Sequence, residues 1–187
     1  MLVPNKMQHV ICTGNCSREQ FNELCALAPN VHAVRGDYDD DDRLVFPEVQ
    51  IIQVGKFRIG LMHGHQLMPS SSSQDAKSRM RRKLNVDVFI SGHTHKNDCR
   101  VDDDGFFYIN PGSITGSYSS INPDGVVPSF ILLAIQDTKL VCYVYELTDD
   151  GELEVEVTKT EFTKRPDSGA AATPGNNNPG LLQSLLT

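Results

Sequence analysis

The 187-residue sequence lacks the features that mark membrane, secreted and nucleic-acid-binding proteins. It has no apolar run of membrane-spanning length, and its N-terminus does not show a signal-peptide pattern. Acidic residues outnumber basic ones, 24 to 17, and the net charge of −7 argues against a nucleic-acid surface. These absences predict a globular protein that binds no nucleic acid and has no membrane-spanning segment.

Cysteine is sparse and irregularly spaced. An odd set of five does not suit a disulfide framework in a chain of this length. The first two lack the CxxC spacing, and no second pair could complete a zinc ribbon. We predict reduced thiols in a cytoplasmic protein, at Cys12, Cys16, Cys25, Cys99 and Cys142.

The chain shows no internal repeat and no sign of a second domain. Residues 1–165 can bury a sizeable core, whereas 166–187 are rich in Pro, Gly, Asn and Ala. Strand-like apolar runs alternate with helical patterns at first, and hairpin-like pairs dominate later. We predict one α/β domain over 1–165, with two packed mixed sheets flanked by helices, and a disordered tail over 166–187.

Two helices are predicted in the first half. Segment 17–28 begins with Ser17 as N-cap and places its apolar side chains on one face. That face consists of Phe21, Leu24, Cys25 and Leu27. Segment 73–85 is polar, and we expect its basic residues to lie on an exposed face, although they could also touch phosphoinositide head groups.

Four predicted strands end with a glycine beside a side chain that can bind metal. Two strands lead into histidine pairs, and these pairs hold four of the six histidines. The other two lead into Gly-Asn and Gly-Asp. The four ends therefore carry Asn15, Asp37, His63 with His65, and His93 with His95.

The position of these side chains matters because sites in open α/β sheets form at the carboxyl ends of strands. Glycine lets the backbone turn tightly there and lets a ligand approach closely. Imidazole, carboxylate and amide oxygen suit zinc, manganese or iron. Each end alone could be an ordinary turn, but the fourfold repetition predicts one shared metal site.

Five motifs carry a family resemblance. They are CTGN at 12–15, RGDYD at 35–39, GLMHGHQ at 60–66, ISGHTH at 90–95 and YINPGS at 108–113. In this order and spacing the sequence resembles the calcineurin-like metallophosphoesterases. It resembles more closely the small metallophosphoesterase-fold subunit of retromer, the endosomal cargo-retrieval coat. The resemblance extends from about Leu2 to Lys164 and implies an αββα sandwich.

The resemblance also implies a ligand set. Asn15, Asp37, His63 and His93 would surround one divalent ion, zinc or manganese, while His95 and Asn15 would belong to a second position. Active relatives carry a metal-bridging aspartate where this sequence has Asn15.

Two departures from active relatives concern catalysis and the start of the fold. Tyr38 stands where many active relatives have a proton-donating histidine. The family's first strand and helix, with their Gly-Asp-x-His motif, have no counterpart in this sequence. We therefore expect a gap with unpaired backbone groups in the first sheet and a lower stability. Whether such a segment lies upstream of Met1 stays open.

Two functions remain possible. The resemblance implies a non-catalytic scaffold that binds the large helical-repeat subunit of retromer and endosomal regulatory proteins, in endosome-to-Golgi retrograde transport. Such a subunit is cytoplasmic and lies on endosomal membranes through the complex. The alternative is a metal-dependent phosphodiesterase of the bacterial type. Asn15, Tyr38 and the missing motif favour the scaffold.

The first interface is predicted at the rim of the metal site. The loop after His65 carries Leu67 and Met68, two apolar residues at a place where an open active site would carry polar ones. The resemblance implies that this edge meets the large subunit. Both side chains could instead pack into the core.

The second interface is predicted on a hairpin with a two-residue turn at Asp137-Thr138. Side chains alternate along strands, so one aliphatic face should be core and the other should carry Leu132, Tyr143 and Tyr145. Leu132 is expected to face Tyr143, and the tyrosine hydroxyls need water or a partner. The resemblance implies a regulator-binding patch, although a helix could cover this face.

Overall fold

The structure is a computed structural model that describes residues 4, 6–39, 45–102, 104–123, 125–149 and 153–165. The predicted tail over 166–187 lies outside the described residues. Ten strands and two helices occur in the described part, and neither helix is long and apolar enough to cross a bilayer. Their order is β1 His9–Cys12, α1 Arg18–Leu27, β2 Asn30–Ala33, β3 Val49–Val54, β4 Phe57–Met62, α2 Gln74–Leu84, β5 Val88–Ser91, β6 Asn97–Val101, β7 Phe107–Pro111, β8 Ser129–Gln136, β9 Lys139–Asp149 and β10 Leu153–Thr163.

The larger sheet is mixed and has the strand order β3-β4-β5-β7-β6. Its three inner strands run parallel, while β3 and β6 pair antiparallel at the two edges. The turn between β3 and β4 uses Gly55, which adopts the left-handed region. β5 is buried at every position, which explains its uninterrupted apolar sequence.

The smaller sheet is antiparallel and has the order β10-β9-β8. Its hairpin turns at Asp137, which adopts a left-handed φ of 53°, and pairs Leu132 with Tyr143. Both the turn and the register match the prediction. The short connections between successive strands make this second sheet purely antiparallel rather than mixed.

The main core lies between these two sheets. The rings of Phe107 and Phe162 stack across it, with centroids 5.3 Å apart, and so join β7 to β10. The buried members are Val34, Ile52, Phe57, Ile59, Leu61, Val88, Ile90, Phe107, Ile109, Leu140, Cys142, Val144 and Phe162. The opposite face of the larger sheet packs against α2, and that second cluster includes Ala76, Leu84, Phe89 and Tyr108. The α/β class and the packed sheets are therefore confirmed.

Strand β1 pairs in parallel with β2, and in the described part of the chain it pairs with no other strand. The two strands form a separate sheet instead of joining the larger one, as expected for a gap in the first sheet. This small sheet still contacts the main core, since Val34, directly after β2, is fully buried in it. The carboxyl ends of both strands therefore stay beside those of β4 and β5.

Helix α1 begins at its predicted N-cap and lies at the surface of the protein. Ser17 caps α1 through a reciprocal capping box with Gln20, as expected, but no residue of α1 is buried and Cys25 is exposed. Three of the four residues on the predicted apolar face are partly buried, and the ring of one of them, Phe21, lies 5.1 Å from that of Phe46. The predicted face is therefore confirmed except at Cys25.

Helix α2 was expected to expose its basic residues, and this is wrong for two of them. Lys77 and Arg81 are buried. Lys77 lies 3.6 Å from the carboxylate of Asp98, and the guanidinium of Arg81 lies 3.3 Å from the ring centre of Phe106. Pairing and stacking make burial of these charges tolerable, since long side chains can bury their stems.

Candidate metal centre

The ends of β2, β4 and β5 bring Asp37, His63 and His93 together. The Asp37 carboxylate lies 2.9 Å from Nε2 of His63 and 3.5 Å from Nδ1 of His93. One ligand atom from each residue lies within 4.8 Å of the others. His63 is buried, while the other two side chains are partly open to solvent. The site is therefore a shallow cluster with one buried ligand at its base.

The His63 ring is fixed by a backbone carbonyl. Its Nδ1 lies 2.6 Å from the carbonyl oxygen of Thr13, which can only accept, so Nδ1 carries the hydrogen. Nε2 is then unprotonated in the neutral ring and faces Asp37. Metal-binding histidines are usually oriented in this way.

His93 and His95 lie on a loop with strained backbone. Both have left-handed φ values, 69° and 58°. Nδ1 of His95 donates to the carbonyl of Ser117 at 2.7 Å, so its Nε2 is also free to accept. His95 is not part of the three-residue cluster, however. Its predicted place at a second metal position stays a prediction.

Asn15 contacts the cluster as a hydrogen-bond donor. Its Nδ2 donates to Asp37 at 3.0 Å, and its Oδ1 accepts from the backbone N–H of Tyr38 at 2.9 Å. The amide oxygen is thus directed away from Asp37. In this arrangement Asn15 orients Asp37. Its predicted place as a metal ligand stays a prediction.

Close packing of two glycines brings the loops after β1 and β2 together. A Cβ on Gly36 would lie 2.0 Å from Oδ1 of Asn15, and one on Gly14 would lie 2.8 Å from Nδ1 of His63. Neither position can accept a side chain without displacing its neighbour. Glycine at these two strand ends therefore allows the neighbouring chain segments to approach closely, as predicted.

The electrostatics favour the protonation states that metal binding requires. Burial would raise the pKa of Asp37, but the hydrogen bonds from Asn15 and the backbone, with His63 and His93 nearby, together lower it. Burial lowers the pKa of His93, and the neighbouring imidazoles lower it further, although Asp37 opposes them. A carboxylate and a neutral imidazole are therefore available near neutral pH.

The donor set fits a borderline divalent ion. It offers one carboxylate and two imidazoles, and one ligand atom of each lies within 4.8 Å of the others, compared with roughly 3.3 Å between ligand atoms around tetrahedral zinc. Zinc and manganese both accept such ligands. Asp37, His63 and His93 could therefore hold one ion without a large rearrangement.

Comparison with known proteins identifies the family that the sequence motifs resemble. Residues 2–138 match the calcineurin-like phosphoesterase superfamily domain. Vacuolar protein sorting-associated protein 29 (Vps29) of Schizosaccharomyces pombe is 34% identical over 168 residues, which are 88% of this chain and 86% of that protein. The chain belongs to the Vps29 family. The resemblance inferred from the motifs is thereby confirmed.

Two solved Vps29 structures support the assignment. Wild-type Vps29 of Entamoeba histolytica in complex with zinc is 42% identical, with a TM-score of 0.76 and coverage of 84% of this chain and 83% of that chain. Vps29 of Chaetomium thermophilum is 33% identical, with a TM-score of 0.79 and coverage of 88% and 85%. The Vps29 fold thus extends over most of this chain.

Two residues that hold the site together in this Vps29-family chain were not identified from the sequence. The carboxylate of Asp39 accepts from the backbone N–H groups of Asn15, Cys16 and Gly36 at 2.7–2.9 Å. It locks the two loops to each other. Asp39 lies within an acidic run, but the Gly-Asp-x-Asp spacing was a usable signal.

The second overlooked residue, Asn110, fixes the histidine loop. Its Nδ2 donates to the carbonyl of Gly92 at 3.2 Å and to the hydroxyl of Thr94 at 2.8 Å, and its Oδ1 accepts from Gly112 N–H. The side chain is buried. Its position in the YINPGS motif was the available signal.

The two residues predicted for the first interface, on the loop after His65, differ in their exposure to solvent. Met68 is 74% exposed, whereas Leu67 is 3% exposed and packs in the cluster beneath α2. The prediction that both lie on the rim is wrong for Leu67. A leucine gains more by packing against α2 and the sheet than it would at the surface.

The second predicted interface lies on the outer face of the smaller sheet. Leu132, Tyr143 and Tyr145 are all partly exposed, and Tyr145 stacks on Phe130 with centroids 4.8 Å apart. The inner face carries Leu140, Cys142 and Val144, which are buried as predicted. The described residues provide no helix over the outer face, so its use in regulator binding stays a prediction.

Proposed function

We propose that this Vps29-family chain is a non-catalytic scaffold subunit of retromer. It binds the large helical-repeat subunit through the rim of the metal centre and endosomal regulators through the outer face of the smaller sheet. It acts on endosomal membranes through the complex, in endosome-to-Golgi retrograde transport. The membership of the Vps29 family carries this proposal.

The surroundings of the metal centre support a binding role. Besides Met68, three large side chains close to residues of the site in sequence are exposed. Tyr38 adjoins Asp37 and is 82% exposed, and Tyr118 adjoins Ser117, the partner of His95, and is 75% exposed. Ile114 is 64% exposed on the same loop as Tyr118. Exposed aromatic and Met side chains of this kind are typical of interfaces.

The ligand set supports the absence of catalysis. Among the described residues, Asp37, His63 and His93 form the one group of at least three potential His, Cys, Asp or Glu ligands. Two-metal phosphoester hydrolysis needs a second such group to stabilise both the attacking and the leaving oxygen. Asn15 offers an amide directed away from Asp37 in place of a bridging carboxylate.

Asp37, His63 and His93 would hold a single zinc or manganese ion. Such an ion supplies a Lewis acid and a link between three strand ends. The chain's own residues keep the ligands in place, since Asn15 donates to Asp37 and Thr13 fixes the His63 ring. The ion is thus part of a binding surface and is not required for the scaffold role.

The second candidate function is a metal-dependent phosphodiesterase, which the intact three-residue cluster favours. We expect no turnover of bis(p-nitrophenyl) phosphate with added manganese, because the described residues provide no second group of three ligands and Tyr38 stands where many active relatives have a proton donor. Release of p-nitrophenolate, followed over hours, provides the measurement. Turnover by the unchanged chain that disappears in His93→Ala would support the enzyme instead.

Co-purification tests the scaffold role directly. The tagged chain should retain a large helical-repeat protein from lysate, identified by mass spectrometry. We expect Met68→Asp to weaken this association about 30-fold, because a charge replaces an exposed apolar contact at the rim. The melting temperature should change by less than about 2 °C, since Met68 packs against little.

Three variants control for this experiment. Ser70→Asp adds the same charge to the same exposed loop, and Leu132→Asp alters the other proposed interface, so both should keep the large partner. Leu67→Ala should lower stability by about 2–4 kcal/mol because Leu67 is buried. If Met68→Asp retained the partner as well as Ser70→Asp does, the rim would not be the interface.

A further inference from the structure

Two thiols face each other across the core. Cys99 lies on β6 of the larger sheet, Cys142 lies on β9 of the smaller one, and their sulfur atoms are 3.4 Å apart. We propose that Cys99 and Cys142 form a redox-active dithiol, which a peroxide converts into a disulfide that links the two sheets. This modification site is separate from the metal centre.

The placement of the two strands favours the bond. Cys99 is opposite Ile109 on β7, and Cys142 is opposite Leu133 on β8 and Thr160 on β10. Cys142 belongs to the main core, and Cys99 packs against the same cluster. The sulfur atoms must approach by roughly 1.4 Å to reach disulfide length. Disulfides between facing sheets are known in immunoglobulin sandwiches, so this architecture tolerates them.

The reaction has two balanced steps. The thiolate of Cys99, the more accessible sulfur, attacks a peroxide oxygen, which gives a sulfenic acid and releases hydroxide or alkoxide. The Cys142 sulfur then attacks the sulfenic sulfur, forms the S–S bond and expels hydroxide, while its proton completes a water molecule. The two thiols lose two electrons in total, and the peroxide gains them. A small thiol such as glutathione reverses the reaction by exchange.

Access and ionisation set the rate. Cys142 is fully buried and Cys99 is partly buried, so the oxidant reaches Cys99 first. The hydrogen bond with Cys142 and burial raise the pKa of the Cys99 thiol, and the carboxylate of Asp98 adds to this. Because the thiolate is the reacting form, we expect oxidation over minutes to hours rather than seconds.

The bond would tie the edge of the larger sheet to the centre of the smaller one. It would close a loop that contains all of β7 and β8. Cross-linking a loop of this length constrains the unfolded chain, so the oxidised protein should be harder to unfold. Strand β6 begins two residues after His95, so the link would also anchor the histidine loop.

Peptide mapping of the full-length chain tests the proposal. The reduced protein is treated with hydrogen peroxide, blocked with N-ethylmaleimide and digested with trypsin without reduction. Most of the protein should yield residues 97–100 linked to residues 140–159, and dithiothreitol should remove the link. The melting temperature should rise by about 5–10 °C on oxidation and return on reduction.

Two variants separate this pair from the other thiols. Cys99→Ser, on a sheet edge, should show neither the linked peptide nor the rise in melting temperature. Cys25→Ser, which removes an exposed thiol, should behave like the unchanged chain. The proposal would be overturned if Cys99 and Cys142 both still reacted with maleimide after peroxide had oxidised Cys25. So would a 97–100 to 140–159 link that forms only in urea, or peroxide disulfides confined to Cys12 and Cys16.

Discussion

His63→Ala is expected to reduce the affinity for zinc by on the order of 1,000-fold, because it removes one of three ligands and the best-oriented one. His63 lies at the base of the cluster, is buried, and is held by the Thr13 carbonyl at 2.6 Å. The unchanged chain should retain one equivalent of zinc or manganese after dialysis. Metal analysis and calorimetric titration provide the measurement.

His65→Ala is the matched control for this result. His65 lies two residues from His63, and its ring contacts His63 and His93, but it is exposed and is not part of the three-residue cluster. We expect its affinity to fall by less than about 10-fold. Asp37→Asn, which keeps the shape of the side chain, should reproduce the large loss. Two tightly bound equivalents in the unchanged chain would contradict the single-ion site.

The sequence predicted those parts of the structure that depend on local patterns. Asp137-Thr138 marked the turn of the hairpin, and the alternation of β8 and β9 indicated which side chains face the core. Asp37, His63 and His93 were found because each lies in the loop that follows a strand, and ligand sites in α/β folds form at the carboxyl ends of strands. No knowledge of distant contacts was needed for these predictions.

Other features depend on contacts that the sequence does not display. Leu67 and Met68 are adjacent in a loop with no periodicity, so nothing local shows which of them packs beneath α2. Asp39 holds two loops together by accepting from three backbone N–H groups, and the sequence does not show that these loops meet. Lys77 is buried because Asp98, on another element, pairs with it.

The contact between Cys99 and Cys142 could not be predicted from the sequence either. They lie on strands of different sheets, and their contact depends on how the sheets pack. Two cysteines so far apart in sequence give no spacing signal. Asn15 is a further case, since its residue type does not show that its amide nitrogen donates to Asp37. The chemistry of a side chain was predictable, but its direction was not.

Gly36→Ala should weaken zinc binding about 100-fold although Gly36 donates no ligand. Its φ is not in the left-handed region, so the effect would be steric. The new Cβ would lie 2.0 Å from Oδ1 and 2.4 Å from the backbone nitrogen of Asn15. The two loops would have to separate. Asp39 could then no longer accept from both Asn15 and Gly36, and Asp37 would leave its position beside His63.

Calorimetric titration with zinc measures this effect, and thermal unfolding gives the accompanying loss of stability, which we expect to be about 1–3 kcal/mol. Gly125→Ala provides the control. Gly125 has a φ of 109°, and no atom lies within 4 Å of the position that a Cβ would take, so alanine there adds backbone strain without a collision. That variant should lose some stability and keep its zinc affinity. Equal zinc affinities for Gly36→Ala and Gly125→Ala would show that the close approach of Gly36 to Asn15 does not position Asp37.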